Sequence, residues 1–388
     1  MPRRAALIVL DGLGIGPAPD TGAYGDAGSD TLGNVLRAVP GLELPNLTAA
    51  GLGRCADLPG VPPVSAPFAA SGCALPASHG KDSTTGHWEL CGLVLERPFP
   101  TYPHGFPPEI LDAFVRATGR GVLGNRPASG TAILDELGDR HVATGDWIVY
   151  TSADSVFQVA AHEDVVPVDE LYAACAAARA ILTGPHGVSR VIARPFTGAA
   201  GRWTRTARRK DFSLAPPAAT LLDRLADRAI PRVGVGKVDD LFAGRAITST
   251  HAPTNAEAYR RIGDGLATLE HGLLFANVIE FDQSWGHRND VAGFANGLRE
   301  LDAALPGLLA SVRAEDLVIF TADHGNDPTT PSTDHSRERV PILVVGPRVR
   351  PADLGVRPTF ADVGQTIAHF LGVEPLAAGT SFLDACWG

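Results

Sequence analysis

The chain has 388 residues, 45% of them hydrophobic and 20% charged, with a formal net charge of -10. That length and apolar content describe a globular protein with room for two domains, or one large domain carrying an insert. The acidic balance argues against nucleic acid or an anionic membrane surface as the main partner. A phosphorylated small molecule stays open, because local clusters and metals decide that.

The basic residues 1–4 precede an apolar run, 5–10, that stops at Asp11. It is too short for a signal segment or a membrane span, and no run of about 18 uninterrupted apolar residues occurs later. The run reads as a buried strand, followed by the turn Gly12-Leu13-Gly14-Ile15-Gly16. A Gly-rich turn after a strand is a weak dinucleotide signal. Here an acidic residue ends the strand and no P-loop lysine follows, so the turn is read as placing Asp11. Further apolar runs at 147–150, 190–193, 232–235, 274–281, 317–321 and 342–345 read as buried parallel strands. Amphipathic stretches at 171–182, 218–229, 255–271, 293–311 and 360–370 read as helices between them. Strands alternating with helices predict an α/β architecture with a mostly parallel sheet. Ligands of such sheets sit at the carboxyl ends of strands. The stretch 99–212 has its own strands and helices between Pro-rich and basic borders. It reads as a smaller α/β cap domain inserted into a discontinuous core of 1–98 and 213–388. The five cysteines show no C-x-x-C pair. Reduced thiols and a cytoplasmic location are expected.

Polar residues at strand ends carry the chemistry. Asp11 ends the first strand, Asp282 the run 274–281, and Asp323-His324 the run 317–321; His287 and His335 follow nearby. Any one of these alone is as easily a helix cap or a satisfied loop residue. As a set, each at a strand end and glycine-flanked, they offer six oxygen and nitrogen donors, three for each of two metals. Carboxylate and imidazole suit Mn²⁺, Zn²⁺ or Fe²⁺. Two such ions about 4 Å apart can clamp both sides of a phosphoryl group in transfer. A second element is Gly80-Lys81-Asp82-Ser83-Thr84-Thr85-Gly86-His87-Trp88-Glu89. Alone it is a hydroxyl-rich loop before a helix. In a chain with two metals it is a nucleophile loop, with Ser83, Thr84 and Thr85 as candidates. In the insert, Tyr150-Thr151-Ser152-Ala153-Asp154-Ser155 has the hydroxyls and carboxylate to grip a sugar. Arg190, Arg194, Arg202, Arg205, Arg208, Arg209 and Lys210 follow. Arginine suits phosphate recognition, although for Arg208, Arg209 and Lys210 a solvated basic face is the better reading.

Together these motifs resemble the phosphopentomutase family of the alkaline phosphatase superfamily. The likeness runs from Asp11 to about Phe382. It is carried by residues 80–89, 124–138 (GNRPASGTAILDELG), 150–162 (YTSADSVFQVAAH), 192–196 (IARPF), 322–327 (ADHGND) and 333–335 (TDH). It implies an alkaline-phosphatase-like core with a capping insert. It implies that Asp282, His287 and His335 hold one metal and Asp11, Asp323 and His324 the other, both Mn²⁺. It places the nucleophile at Ser83, where family members carry threonine. It puts Asp154 on the sugar, and Arg190 and Arg205 on the distal phosphate. The implied activity interconverts ribose 1-phosphate, or its 2-deoxy form, with the 5-phosphate. It runs through a phosphoserine and a 1,5-bisphosphate, primed by a sugar bisphosphate activator. The expected partner is a small pentose phosphate, and the expected state a monomer. A phosphomonoesterase or cofactor-independent phosphoglycerate mutase on the same core is the alternative, and the TSADS stretch and the size of the insert argue against it. A catalytically dead binding protein is a further one, opposed by the intact donor set.

Overall fold

Strand β1 (Arg4–Leu10) is buried at all seven positions. A strand with no polar alternation must be covered on both faces, and β1 accordingly lies in the middle of a sheet. Leu7, Ile8 and Val9 are fully buried there, each stabilising the fold by roughly 1.5–3 kcal/mol. The computed structural model describes residues 3–152 and 154–388. Met1, Pro2 and Ala153, the last inside the TSADS stretch, lie outside them. The strands that follow in chain order are β2 (Ala70–Ala74), β3 (Val122–Pro127), β4 (Trp147–Thr151) and β5 (Val156–His162). Next come β6 (Arg190–Ala199), β7 (Arg202–Arg205), β8 (Lys210–Ser213), β9 (Arg232–Val235) and β10 (Ser249–Thr250). The last are β11 (Gly272–Val278), β12 (Asp316–Thr321), β13 (Val340–Val345) and β14 (Asp353–Arg357).

The larger unit, Met1–Pro98 with Pro216–Gly388, holds an eight-stranded sheet in the order β10-β9-β11-β1-β12-β13-β2-β14. Five of its neighbour pairs are parallel and two, β12 with β13 and β13 with β2, are antiparallel. This order decides where the polar residues go. Strands β11, β1 and β12 run side by side, with Leu10 opposite Val278 and Val9 opposite Thr321. Their carboxyl ends therefore deliver residues 279–282, Asp11 and 322–324 to one edge. Because β13 runs the other way, the segment that enters it, 335–339, begins at that same edge. β2 reverses direction again, so its exit leads to Ser83 there too. The fold thus gathers five distant pieces of chain at one end of one sheet.

The start of β1 is locked by an ion pair between the buried Arg4 and Asp316, the first residue of β12. The Arg4 guanidinium also donates to the carbonyls of Leu266, Leu269 and Ser311. A buried charge persists when its donors are used in this way.

The smaller unit, Phe99–Ala215, has its own sheet, ordered β3-β4-β5-β6-β7, with β8 also paired to β6. One core packs Phe106, Phe114, Trp147, Phe157 and Cys175, and a second packs Ile133, Leu134, Ile148 and Phe196. The helix Gly130–Thr144 starts on Ser129, whose hydroxyl accepts the Ala132 N–H. The chain leaves this unit at Ala215 rather than at the expected 212, because Lys210–Ser213 pairs with β6.

Several expected boundaries move. The run 274–281 does not stay extended to its end. β11 stops at Val278, and Phe281–Trp285 forms a π-helical turn that carries Asp282. The backbone N–H of Glu280 donates to Asn255 Oδ1 at 2.9 Å, and its carboxylate accepts the Asn255 N–H at 2.6 Å, which takes the chain out of the ladder. The helix expected at 218–229 is shorter, Leu221–Asp227, started by a reciprocal cap between Thr220 and Asp223. Strands β2 and β14 are not anticipated, because ASGCA and DLGVR lack an apolar run.

Candidate active site

Asp82 caps the helix Ser83–Leu90, accepting the Thr85 N–H at 3.1 Å and the Thr85 hydroxyl at 2.6 Å. Thr85 is thereby engaged in the cap, and Ser83 becomes the first residue of the helix. The Ser83 hydroxyl donates to Asp11 Oδ1 at 3.2 Å, and its oxygen lies 3.1 Å from His324 Nε2. A hydroxyl at a helix N-terminus faces free N–H groups and the positive end of the helix dipole, a setting that favours phosphate. Gly86 lets this helix approach the cluster: a Cβ there would lie 2.7 Å from Asp323 Cβ.

Two buried charges hold the loop before Ser83. Glu89 accepts from the N–H groups of Ala77, Ser78 and Phe360 and from the Thr359 hydroxyl, all at 2.7–2.9 Å. Arg337 donates to the carbonyls of Pro76, Ser78 and Gly80 at 2.7–2.9 Å and lies over the Tyr24 ring. A third, Glu338, sits under the Gly12–Gly16 turn. It accepts from the N–H groups of Gly16 and Thr31 and from the hydroxyls of Thr31 and Ser336, at 2.6–3.1 Å. Gly14 is required beside it, because a Cβ would come within 2.6 Å of Glu338 Cδ. Only Glu89 lies in a stretch that the sequence singles out, and none of the three shows its role there, since each acts on backbone that only the fold brings near.

All six expected donors meet at this edge. His287 Nε2 lies 3.3 Å from Asp282 Oδ2, and His335 Nε2 lies 3.3 Å from Asp282 Oδ1. His324 Nε2 lies 3.3 Å from Asp11 Oδ1 and 3.4 Å from Asp323 Oδ2. The rings of His324 and His335 are 4.3 Å apart, which makes one cluster of the two groups. Asp282 reaches further than its neighbours: it belongs to a trio with His287 and His335 and to another with Asp11 and His324. Asp323 gives Oδ1 to the Gly12 N–H at 3.1 Å.

The electrostatics follow from crowding. Burial, then the nearby Asp323 and Asp282, raise the Asp11 carboxyl above its usual range. Burial opposes charge on Asp282 and Asp323 as well. The imidazoles beside them, His335 and His287 for Asp282 and His324 for Asp323, outweigh it and hold both carboxyls low. Burial likewise opposes a proton on His287, but its bond to Asp282 pushes it up to about 9. His324 rises for the same reason, against Asp323, Asp11 and Asp282.

The donor set fits divalent cations. Bonds of about 2.0–2.2 Å from a metal to N and O ligands, at angles of about 90–110°, place neighbouring ligand atoms roughly 2.8–3.6 Å apart. The ligand-to-ligand distances above fall in that range. Asp323 Oδ2 is buried with no hydrogen bond of its own, because the His87 Nδ1 proton 3.0 Å away points to the Ser83 carbonyl. A buried carboxylate oxygen left without a donor is what a cation would satisfy.

The remaining expected residues lie in the smaller unit. Asp154, Arg190 and Arg205 line one cavity of about 310 Å³, with Arg194, Arg209, Tyr150, Gln158, Ser129 and Ser152. Arg209 is exposed, as the solvated-face reading has it. It faces this cavity and is tied to Asp211 at 2.6 and 2.7 Å. Arg208 pairs with Glu163 instead, and Lys210 lies over the Tyr172 and Phe212 rings. Asp211 also lies 3.6 Å from Arg190. Four guanidinium groups against the carboxylates of Asp154 and Asp211 leave about two positive charges, matching a phosphomonoester. Burial, then the neighbouring Arg209, hold Arg194 below the usual guanidinium range, and an anion would relieve that crowding.

Residues 3–375 match the model of the metalloenzyme superfamily. A phosphopentomutase of Dictyoglomus thermophilum is 55% identical over 384 residues, covering 98% of each chain. One from Anaeromyxobacter sp. strain K is 56% identical over 385 residues, covering 99% of each. Among solved structures, the PH0037 protein of Pyrococcus horikoshii superposes with a TM-score of 0.50 at 17% identity, covering 97% of this chain and 100% of that one. The phosphoglycerate mutase of Leishmania mexicana gives 0.50 at 14% identity, covering 98% and 97%. At those identities the two structures speak for the fold alone. The sequence relatives speak for more, since their likeness spans both units from end to end: the chain belongs to the phosphopentomutase family of the metalloenzyme superfamily, and is an enzyme of the isomerase class acting on a small phosphosugar.

Proposed function

We propose that the chain interconverts ribose 1-phosphate, and 2-deoxyribose 1-phosphate, with the corresponding 5-phosphates through a phosphoserine at Ser83. The observation that carries this reading is the Ser83 hydroxyl, 3.1–3.2 Å from His324 Nε2 and Asp11 Oδ1 at a helix N-terminus. Resting enzyme carries phosphate on Ser83. The free hydroxyl of the bound sugar phosphate attacks that phosphorus in line. Its O–P bond forms as the Ser83 Oγ–P bond breaks, and the proton it loses ends on Ser83 Oγ. The product is a 1,5-bisphosphate. After reorientation, Ser83 Oγ takes back the other phosphate by the same exchange in reverse.

The chain's own residues supply position and charge. Asp82, Glu89 and Arg337 fix the loop and helix end that aim Ser83. Arg190 and Arg205 hold the phosphate that stays on the sugar, and Asp154 holds a sugar hydroxyl, so the smaller unit serves substrate recognition. Asp282, His287 and His335 would hold one cation, and Asp11, Asp323 and His324 the other, with Mn²⁺ at both. Such ions neutralise charge on the transferring phosphoryl oxygens and lower a hydroxyl pKa. A sugar bisphosphate primes Ser83. A monomer in the cytoplasm is the expected state; among the described residues no helix is long and apolar enough to cross a membrane.

A coupled assay offering ribose 5-phosphate and 3-phosphoglycerate in parallel tests the reading. Isomerisation of the pentose phosphate alone is expected. Turnover of 3-phosphoglycerate alone, or release of free phosphate alone, would overturn it in favour of a phosphoglycerate mutase or a phosphomonoesterase.

A further inference from the structure

We infer that His87 and Asn277 form a positioning pair that fixes which oxygen of Asp11 faces the cluster and ties that choice to the backbone of Ser83. The inference rests on the metal-dependent reading above. Both side chains are completely buried, and neither belongs to the donor set. Asn277 sits on β11 opposite Val9 of β1, two residues before Asp11. Its Nδ2 lies 3.0 Å from Asp11 Oδ2 and 3.2 Å from His87 Nε2, so both amide protons are engaged. Its Oδ1 is buried without any hydrogen bond.

The network assigns the orientation. A flipped amide would set its carbonyl oxygen against the Asp11 carboxylate at the same spacing, oxygen to oxygen. With the amide as placed, His87 Nε2 is the acceptor and the ring proton is on Nδ1. That nitrogen lies 2.9 Å from the Ser83 carbonyl and 3.0 Å from Asp323 Oδ2. Phe275 stacks on the ring at 5.7 Å and holds its plane. One chain of contacts thus runs from Asp11 through Asn277 and His87 to the first residue of the nucleophile helix. It engages Asp11 Oδ2 and leaves Oδ1 facing Ser83 Oγ and His324. Leaving a buried carbonyl unpaired is unfavourable. The arrangement persists because the two donors are the groups that the site uses.

Outer partners of metal ligands typically alter metal affinity by about 10–100-fold. Calorimetric titration of the full chain with Mn²⁺ alone separates this role from general stabilisation. Asn277→Ala and His87→Asn are expected to weaken one of two Mn²⁺ sites by roughly 10–100-fold. The site built on Asp282, His287 and His335 should keep its affinity. His87→Gln, whose amide can still accept from Asn277, is expected to keep both. Loss of kcat with an unchanged KM for ribose 5-phosphate should accompany the weakened site. Should Asn277→Ala not fold, the His87 variants, which leave the sheet untouched, carry the comparison. Asn277→Ala or His87→Asn with two normal sites, or with both sites weakened alike, would overturn the pair while sparing the proposed reaction. A wild-type chain that binds no Mn²⁺ would overturn both.

Discussion

Glu338 offers a pH experiment on the foundation of the site. Its carboxyl is fully buried under the Gly12–Gly16 turn, and burial, despite four donors, pushes it up to about 7 from an ordinary 4.5. The folded state therefore holds this proton more tightly than the unfolded chain. As pH rises through 4.5 the unfolded chain loses its proton first, so it binds fewer protons than the native state and stability falls with pH. The fall ends near pH 7, where the folded carboxyl also ionises. A displacement from 4.5 to about 7 corresponds to about 3 kcal/mol. Glu338→Gln mimics the protonated form. Its carbonyl oxygen can accept the Gly16 and Thr31 N–H groups, and its amide can donate to the Thr31 and Ser336 hydroxyls, which rotate to accept. Urea unfolding of both proteins with a chelator present, between pH 4 and pH 8, measures the difference directly. The two should be about equally stable near pH 4.5, with the variant ahead by about 3 kcal/mol near pH 8. A variant that is less stable than wild type by the same amount at every pH would refute the reasoning.

Three further outcomes follow from the same structure. Arg205→Ala, in the cavity of the smaller unit, should raise KM for ribose 5-phosphate with less effect on kcat. Loss of a charged hydrogen bond of about 1.5–3 kcal/mol corresponds to roughly 10–150-fold in steady-state kinetics. In the metal-free protein His287 should titrate near 9. Mn²⁺ binding below that pH must displace its proton, so affinity should rise as pH approaches 9 and calorimetry in buffers of different ionisation heat should detect the release. Arg4→Ala leaves Asp316 buried and unpaired, and should reduce unfolding free energy by about 3–5 kcal/mol in denaturant titration.

The central strands were legible because β1, β11, β12 and β13 are buried throughout and spell continuous apolar runs. Their polar ends, Asp11, Asp323 and His324, could be read for the same reason. The local structure of Asp282 is not legible: Ile279 and Phe281 extend the apolar run while the Asn255–Glu280 pair bends the backbone away. β2 and β14 escaped notice because the sheet, rather than their side chains, decides that they are strands. Arg208, Arg209 and Lys210 look alike in sequence, and only the fold sets Arg209, of the three, against the cavity. Glu338, Arg337, Glu89, His87 and Asn277 carry no sequence signal of their role. Each works through backbone or a neighbour more than ten positions away, except where His87 meets the Ser83 carbonyl and Glu338 the Ser336 hydroxyl.

Phosphate on Ser83 is the claim on which the proposed reaction depends. The chain, loaded with Mn²⁺ and exposed to a sugar bisphosphate bearing labelled phosphate, can be digested and the peptide spanning residues 80–97 sequenced by mass spectrometry. The account predicts label on Ser83 and its disappearance when excess ribose 5-phosphate is added. Label on Thr84 or Thr85, or label that ribose 5-phosphate does not remove, would contradict it.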